Sequence, residues 1–89
     1  ARPDFVMAHE TMAVALDLTG DARGAEAEFQ LAQRLSTSKY TALNYATFLA
    51  RNGRYDEALA LVRRTLAQPG ANPAKLLQLE QTLVTTPRP

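Results

Sequence analysis

The six residues Gly53-Arg54-Tyr55-Asp56-Glu57-Ala58 decide the fold of this 89-residue chain. Gly53 ends one helix, because glycine adopts the positive φ of a tight turn without steric cost. Asp56 and Glu57 then lie in the first turn of the next helix, where the helix dipole favours negative charge. Ala58 is small enough for two helices to approach each other closely. The stretch therefore predicts a tight turn between two packed helices.

The rest of the chain predicts further segments of the same kind. Sixteen alanines and only four glycines favour helix, and strand patterns are absent. Helix starts are predicted from N-caps, and stops from glycine or proline. The five predicted helices span residues 4–19, 22–35, 39–52, 55–67 and 73–84, and residues 85–89 are predicted to be irregular. Their signals are Asp4, Gly20, Asp21, Ser36-Thr37-Ser38, Gly53, Pro69-Gly70 and Asn72-Pro73.

The predicted helices recur as pairs. When the sequence is aligned with itself so that Ala13 pairs with Ala46, similar residues coincide, and we call this offset the repeat shift. We interpret the coinciding residues as packing and stop positions. The other superposed pairs are Leu16 and Leu49, Gly20 and Gly53, Ala25 and Ala58, Ala27 and Ala60, and Phe29 and Val62. A shift longer by one position, which we call the cap shift, places Leu76, Leu79 and Leu83 on Ala42, Tyr45 and Leu49.

This pattern resembles the tetratricopeptide repeat, a helix pair with large and small residues at fixed places, a glycine turn, and alanine followed four residues later by an aromatic residue. The first repeat carries His9, Met12, Ala13, Leu16, Gly20, Ala25, Phe29 and Ala32, and the second carries Ala42, Tyr45, Ala46, Leu49, Gly53, Ala58, Val62 and Thr65. The resemblance implies an all-α, right-handed helical-repeat solenoid of five helices in antiparallel helix-turn-helix pairs. It places repeat 1 at about 5–36, repeat 2 at about 38–69 and a capping helix at about 73–84 of a single domain.

The packing of each pair follows from residue size. The alanines let the two helices cross closely, and Met12, Leu16 and Phe29 are expected to fill the volume around the first crossing. Glu80 takes the small position of the last helix, where a covering helix would bury its carboxylate, so we interpret residues 73–84 as the cap. No polar cap precedes Phe5, and we therefore expect the chain to be the C-terminal piece of a longer array.

Composition and motifs argue against several classes of function. A net charge of +1 and a pI near 8.4 do not favour nucleic acid, and no apolar run approaches the roughly 18 to 20 residues that span a membrane. No cofactor, metal site or catalytic residue is expected, and the chain is predicted not to be an enzyme. His9 is interpreted as a packing residue and Ser36-Thr37-Ser38 as helix caps. Arg51, Arg54, Arg63 and Arg64 are interpreted as a solvated face.

The resemblance also implies where a partner binds, because the first helix of each pair lines a concave groove in this family. The candidate groove residues are Met7, Glu10, Thr11, Val14, Asp17 and Leu18 in the first repeat, Tyr40, Leu43, Asn44, Thr47 and Arg51 in the second, and Leu77, Gln78 and Gln81 in the cap. Family members that clamp a C-terminal carboxylate use basic residues and asparagines. Here only Asn44 matches, and the other clamp positions hold Glu10, Val14, Ala74 and Gln78. An apolar or mixed groove for an extended or helical segment is favoured.

The sequence thus predicts a non-enzymatic module that binds a protein or peptide segment in a scaffolding or assembly role. Its alanine- and arginine-rich style resembles repeats of bacterial pilus, secretion and envelope assembly. One alternative is self-association as a homodimer through Phe5, Val6 and Met7. RNA binding by a helical-hairpin repeat is a third, disfavoured by the near-zero charge and by the length of the repeat shift. The partner, the pathway, the oligomeric state and the compartment, cytoplasmic or periplasmic, stay open.

Overall fold

The computed structural model describes residues 3–35, 39–68 and 74–87, which form five α-helices and no strand. The helices are α1 (Pro3–Leu18), α2 (Ala22–Leu35), α3 (Lys39–Arg51), α4 (Tyr55–Leu66) and α5 (Ala74–Thr85). The all-α prediction is confirmed, and each predicted helix end lies within one residue of the observed end. The chain divides into two compact units, Ala1–Thr41 and Ala42–Pro89, which are described separately.

The turns that follow α1 and α3 have the same hydrogen-bond pattern. In both, glycine adopts a positive φ, 91° at Gly20 and 78° at Gly53, as predicted. The amide of each glycine donates to the carbonyl three residues earlier, and the next amide donates to the carbonyl five residues before it, which is the Schellman arrangement. The four bonds are Gly20 to Asp17 (3.1 Å), Asp21 to Leu16 (2.8 Å), Gly53 to Ala50 (3.1 Å) and Arg54 to Leu49 (2.9 Å).

The helix starts confirm one predicted cap and correct another. The carboxylate of Asp21 accepts a hydrogen bond of 2.9 Å from the amide of Gly24, which caps α2 as predicted. However, α1 begins at Pro3, so Asp4 lies inside the first turn and is not the N-cap. Proline suits this place because it lacks the amide hydrogen that would have no partner there. The predicted signals at 36–38, 69–70 and 72–73 lie outside the described residues.

In the first unit, α1 packs against α2 around small side chains. Ala13 on α1 and Ala25 on α2 are fully buried, and Phe29 is buried beside them at 2% exposure. Met12 was expected to fill this crossing, and that prediction is wrong, because its side chain is 52% exposed. Adjacent residues of a helix can both be buried, as Tyr45 and Ala46 are in the second repeat, so the exposure of Met12 shows that this side of α1 is less covered.

In the second unit, buried residues come from three helices. Ala46 and Leu49 of α3, Ala58 and Val62 of α4, and Leu76 and Leu83 of α5 are all buried, and α4 packs against α5. Thr65 takes the later small position of the repeat at 4% exposure. Its hydroxyl donates a 2.7 Å hydrogen bond to the carbonyl of Leu61, so a polar group is buried there without losing a hydrogen bond.

Two further predictions need correction. Ala27 and Ala60, which match under the repeat shift, both lie outside the buried core and are not packing positions. Each lies two residues after a buried alanine, which is more than half a turn around the helix. Thr85, predicted to be irregular, is the last residue of α5, and its hydroxyl bonds to the carbonyl of Gln81 at 2.9 Å.

Candidate functional site

An apolar line of side chains follows the exposed side of α1. Met7 is 65% exposed, Val14 43% and Leu18 69%. Their spacing of seven and four residues keeps them on one side of the helix, and the exposed Thr11 lies between them. We call Met7, Thr11, Val14 and Leu18 the groove face of α1. All four are among the residues predicted to contact a partner.

The second repeat exposes the same positions. The repeat shift pairs the groove face with Tyr40, Asn44, Thr47 and Arg51, and each of these is exposed, with Tyr40 at 73%. The two repeats also expose their remaining predicted groove residues to a similar degree: Glu10, Asp17 and Leu43 are all half-buried. Exposure at these positions therefore follows the repeat and does not depend on which side chain is present.

The chemistry of these exposed positions differs between helices. On α1 they are mainly apolar, whereas on α3 they include Asn44, Thr47 and Arg51. The predicted groove residues of α5 are Leu77, at 47% exposure, and the exposed Gln78 and Gln81.

A second exposed surface of α1 was missed by the sequence interpretation. Ala8, Met12 and Ala15 are exposed and uncharged, and we call them the lateral face. Their counterparts under the repeat shift, Thr41, Tyr45 and Phe48, are 2%, 8% and 2% exposed. The sequence contained a signal for this difference. The repeat shift pairs Ala8 with Thr41 and Ala15 with Phe48, and such unequal side chains indicate that the surroundings of the two helices differ.

His9 does more than fill space. It was interpreted as a packing residue, but its side chain is 34% exposed and its Nδ1 lies 2.5 Å from Oε2 of Glu28 on α2. The interpretation was incomplete, because packing patterns rank residues by size and do not identify a polar partner on another helix. The counterparts in the second repeat, Ala42 and Leu61, are apolar and buried at 5% and 4% exposure.

The predicted arginine face includes ion pairs. Arg54 donates from Nε to Oε1 of Glu57 at 2.9 Å, and Arg63 donates from Nε to Oε2 of Glu80 at 3.2 Å. Arg51 and Arg64 are exposed. The pair with Glu80 links α4 to α5, and Glu80 keeps 24% of its side chain exposed.

The described side chains form no cluster that would hold a metal ion. Among residues 3–35, 39–68 and 74–87, no three His, Cys, Asp or Glu side chains come together as metal ligands would. No helix in these ranges combines the length and the apolarity that crossing a bilayer requires.

Comparison with protein families gives a match. Residues 40–64 match the model of the tetratricopeptide repeat family, from the second residue of α3 to the tenth of α4. Comparison with curated proteins found no match, and neither did comparison with solved structures. Tetratricopeptide repeats generally mediate protein–protein interaction and are typically not enzymes. The matched segment and the five helices, in which the turns at Gly20 and Gly53 repeat, fit a tetratricopeptide-like helical repeat.

Proposed function

We propose that this chain is a non-enzymatic interaction module that binds a segment of a partner protein through the exposed side of its first-of-pair helices. The groove face of α1 carries the proposal. Met7, Val14 and Leu18 expose apolar side chains in one line, and apolar patches on the surface of small soluble domains commonly mark binding sites. The matching exposure of Tyr40, Asn44, Thr47 and Arg51 on α3 supports the same use of that helix.

The chemistry of these residues defines the partner segment. Met7, Val14 and Leu18 on α1 suit a segment with two or three apolar side chains at helical or extended spacing. We propose a scaffolding or assembly role in bacterial pilus, secretion or envelope assembly. The support for that setting is the alanine- and arginine-rich style of the sequence.

A displayed library of short random peptides, selected against the chain, tests this function. We expect the selected peptides to be enriched in apolar residues and to bind Val14→Glu at least tenfold more weakly. Gln30→Glu is the matched control, because Gln30 is exposed and lies on α2, which contributes none of the predicted groove residues. Peptides that bind Val14→Glu as well as the unchanged chain would contradict the proposal. So would selection only of peptides with a free C-terminal carboxylate, which would indicate a clamp.

Self-association is the second function that we propose, in the form of a homodimer. Phe5, Val6 and Met7 are the predicted contact residues. Met7 supports this with an exposure of 65%, while the side chains of Phe5 and Val6 lie outside the described part of the structure. Sedimentation at several protein concentrations tests it, and a chain that stays monomeric throughout would contradict it.

A further inference from the structure

The exposed residues of α1 form two neighbouring faces. The two faces differ in the burial of the corresponding positions in α3. Positions of the groove face are exposed in both α1 and α3, so exposure there is a property of the repeat. Positions of the lateral face are exposed in α1 and buried in α3. Met12, for example, is 52% exposed, whereas its counterpart Tyr45 is 8% exposed. The lateral face of α1 is therefore a packing surface without a packing partner in the described chain.

The last helix supplies a comparison within the same chain. Under the cap shift, the lateral positions of α5 are Lys75, Leu79 and Thr82. The two that are exposed, Lys75 and Thr82, are polar. The chain thus places polar side chains where α5 exposes this face to solvent, and apolar ones where α1 exposes it. This contrast indicates that the lateral face of α1 is covered by protein.

The residues of the lateral face suit a second copy of the same helix. The point between Thr11 and Met12 lies midway between Ala8 and Ala15 along the helix. An antiparallel copy of α1 centred on that point places Ala8 opposite Ala15 of the second copy, and small residues at both places let the two backbones approach closely. No exposed residue between Met7 and Leu18 is charged, so the two identical faces meet without like-charge repulsion.

We propose that two copies of this chain pair through the lateral face of α1, with the helices antiparallel and related by a twofold axis near Thr11 and Met12. This rests on the self-association proposed above and replaces the Phe5, Val6 and Met7 surface with a specific one. Peptide binding at Met7, Val14 and Leu18 is a separate proposal, because, of the groove face, only Thr11 lies near the axis. Because both copies use the same surface, the assembly closes at two and does not extend into a fibre.

The size of the surface sets the expected strength. A stable dimer commonly buries about 800 Å² on each partner. Exposed apolar patches on monomers are smaller, about 300–600 Å², and the lateral face, which extends over about 10.5 Å of α1 from Ala8 to Ala15, is no larger than such a patch. The dimer is therefore weak, and its population rises with protein concentration in the micromolar to millimolar range.

Sedimentation equilibrium of four chains tests the surface. We expect the unchanged chain to form dimers at high concentration and Ala15→Glu to raise the dissociation constant at least tenfold, because it places a carboxylate against Ala8 of the second copy, where the contact would bury it. Thr82→Glu is the matched control at the corresponding position of α5, and it leaves dimerisation unchanged. Met7→Glu also leaves it unchanged if the lateral face is the contact, and weakens it if the N-terminal surface is. Equal unfolding midpoints show that each variant is folded.

Disulfide trapping tests the relative orientation of the two α1 helices. The chain contains no cysteine, so only introduced cysteines can form a disulfide. The variant with both Ala8→Cys and Ala15→Cys is expected to form a covalent dimer in mild oxidant, since each cysteine faces its counterpart in the second copy. Ala8→Cys alone is expected to stay monomeric, because an axial distance of about 10.5 Å separates it from its own copy, too far for a disulfide. Rapid trapping of Ala8→Cys alone would overturn the antiparallel arrangement.

The remaining outcomes separate this proposal from the broader ones. If Ala15→Glu dimerises as well as the unchanged chain, the proposal of self-association stands, but the lateral face is not the contact surface. A chain that stays monomeric at millimolar concentration refutes both. Neither result bears on peptide selection at the groove face, because that experiment uses Val14→Glu on a different side of α1.

Discussion

The imidazole of His9 on α1 and the carboxylate of Glu28 on α2 lie within 2.5 Å of each other and link the two helices. The same two positions of the second repeat hold Ala42 and Leu61, both buried. One repeat thus carries a half-buried polar pair where the other carries apolar side chains. Since both repeats form the same pair of helices, the fold accepts either chemistry at these positions.

Replacing the polar pair by its apolar counterpart is expected to preserve stability. His9→Ala alone leaves the Glu28 carboxylate without this hydrogen bond and costs about 1 kcal/mol, a modest value because both side chains are partly exposed. The double variant with His9→Ala and Glu28→Leu is expected to recover most of that loss. Urea unfolding measures both. A double variant as unstable as His9→Ala alone would show that the position needs the polar pair.

The two turn glycines are expected to be intolerant of alanine for a reason that does not involve space. Gly20→Ala or Gly53→Ala forces a residue with a Cβ into a positive φ and costs about 1–2 kcal/mol. Gly53→Asn is the control, because asparagine tolerates this region better and should lose less stability. Thermal unfolding ranks the variants. Equal losses for alanine and asparagine would contradict a conformational cause.

The sequence predicted the parts of this molecule that depend on local chemistry. Helix ends followed from Gly20, Asp21 and Gly53, because caps and stops act within a few residues. What it could not predict depends on how much of each helix is covered. Met12 looks like a core residue by size and spacing, and only the extent of α2 packing decides that it is exposed. The bond between His9 and Glu28 joins two different helices, beyond the reach of any local pattern.

In both α2 and α4, replacing a buried alanine by a larger residue is expected to reduce stability much more than replacing an exposed one. Ala25→Leu and Ala58→Leu insert a large side chain at fully buried positions and should cost about 1–3 kcal/mol or more. Ala27→Leu and Ala60→Leu make the same change at exposed positions of the same helices and should stay within about 0.5 kcal/mol. Guanidinium unfolding compares each pair. Similar losses within a pair would refute the assigned burial.

The attachment of α5 to α4 is expected to depend on leucines more than on charge. Glu80→Ala removes the pair with Arg63, whose side chain is 58% exposed, and should change stability by no more than about 0.5 kcal/mol. Leu83→Ala removes a side chain that is 1% exposed and should cost about 2–4 kcal/mol. Denaturant titration of the two variants checks the order. A larger loss for Glu80→Ala would assign the attachment to the ion pair.

The surroundings of the two turn glycines have a chemical consequence of their own. A Cβ built at Gly20 or Gly53 meets no atom within 4 Å. Each turn therefore disfavours L-residues because of their handedness and not because of the size of the side chain. A D-alanine, whose mirror-image preference matches a positive φ, would occupy either site without strain and would restrict the unfolded chain. In a chain of 89 residues, within reach of chemical synthesis by ligation of peptides, both turns are therefore places for D-residues that resist proteases while the helix pairs keep their native packing.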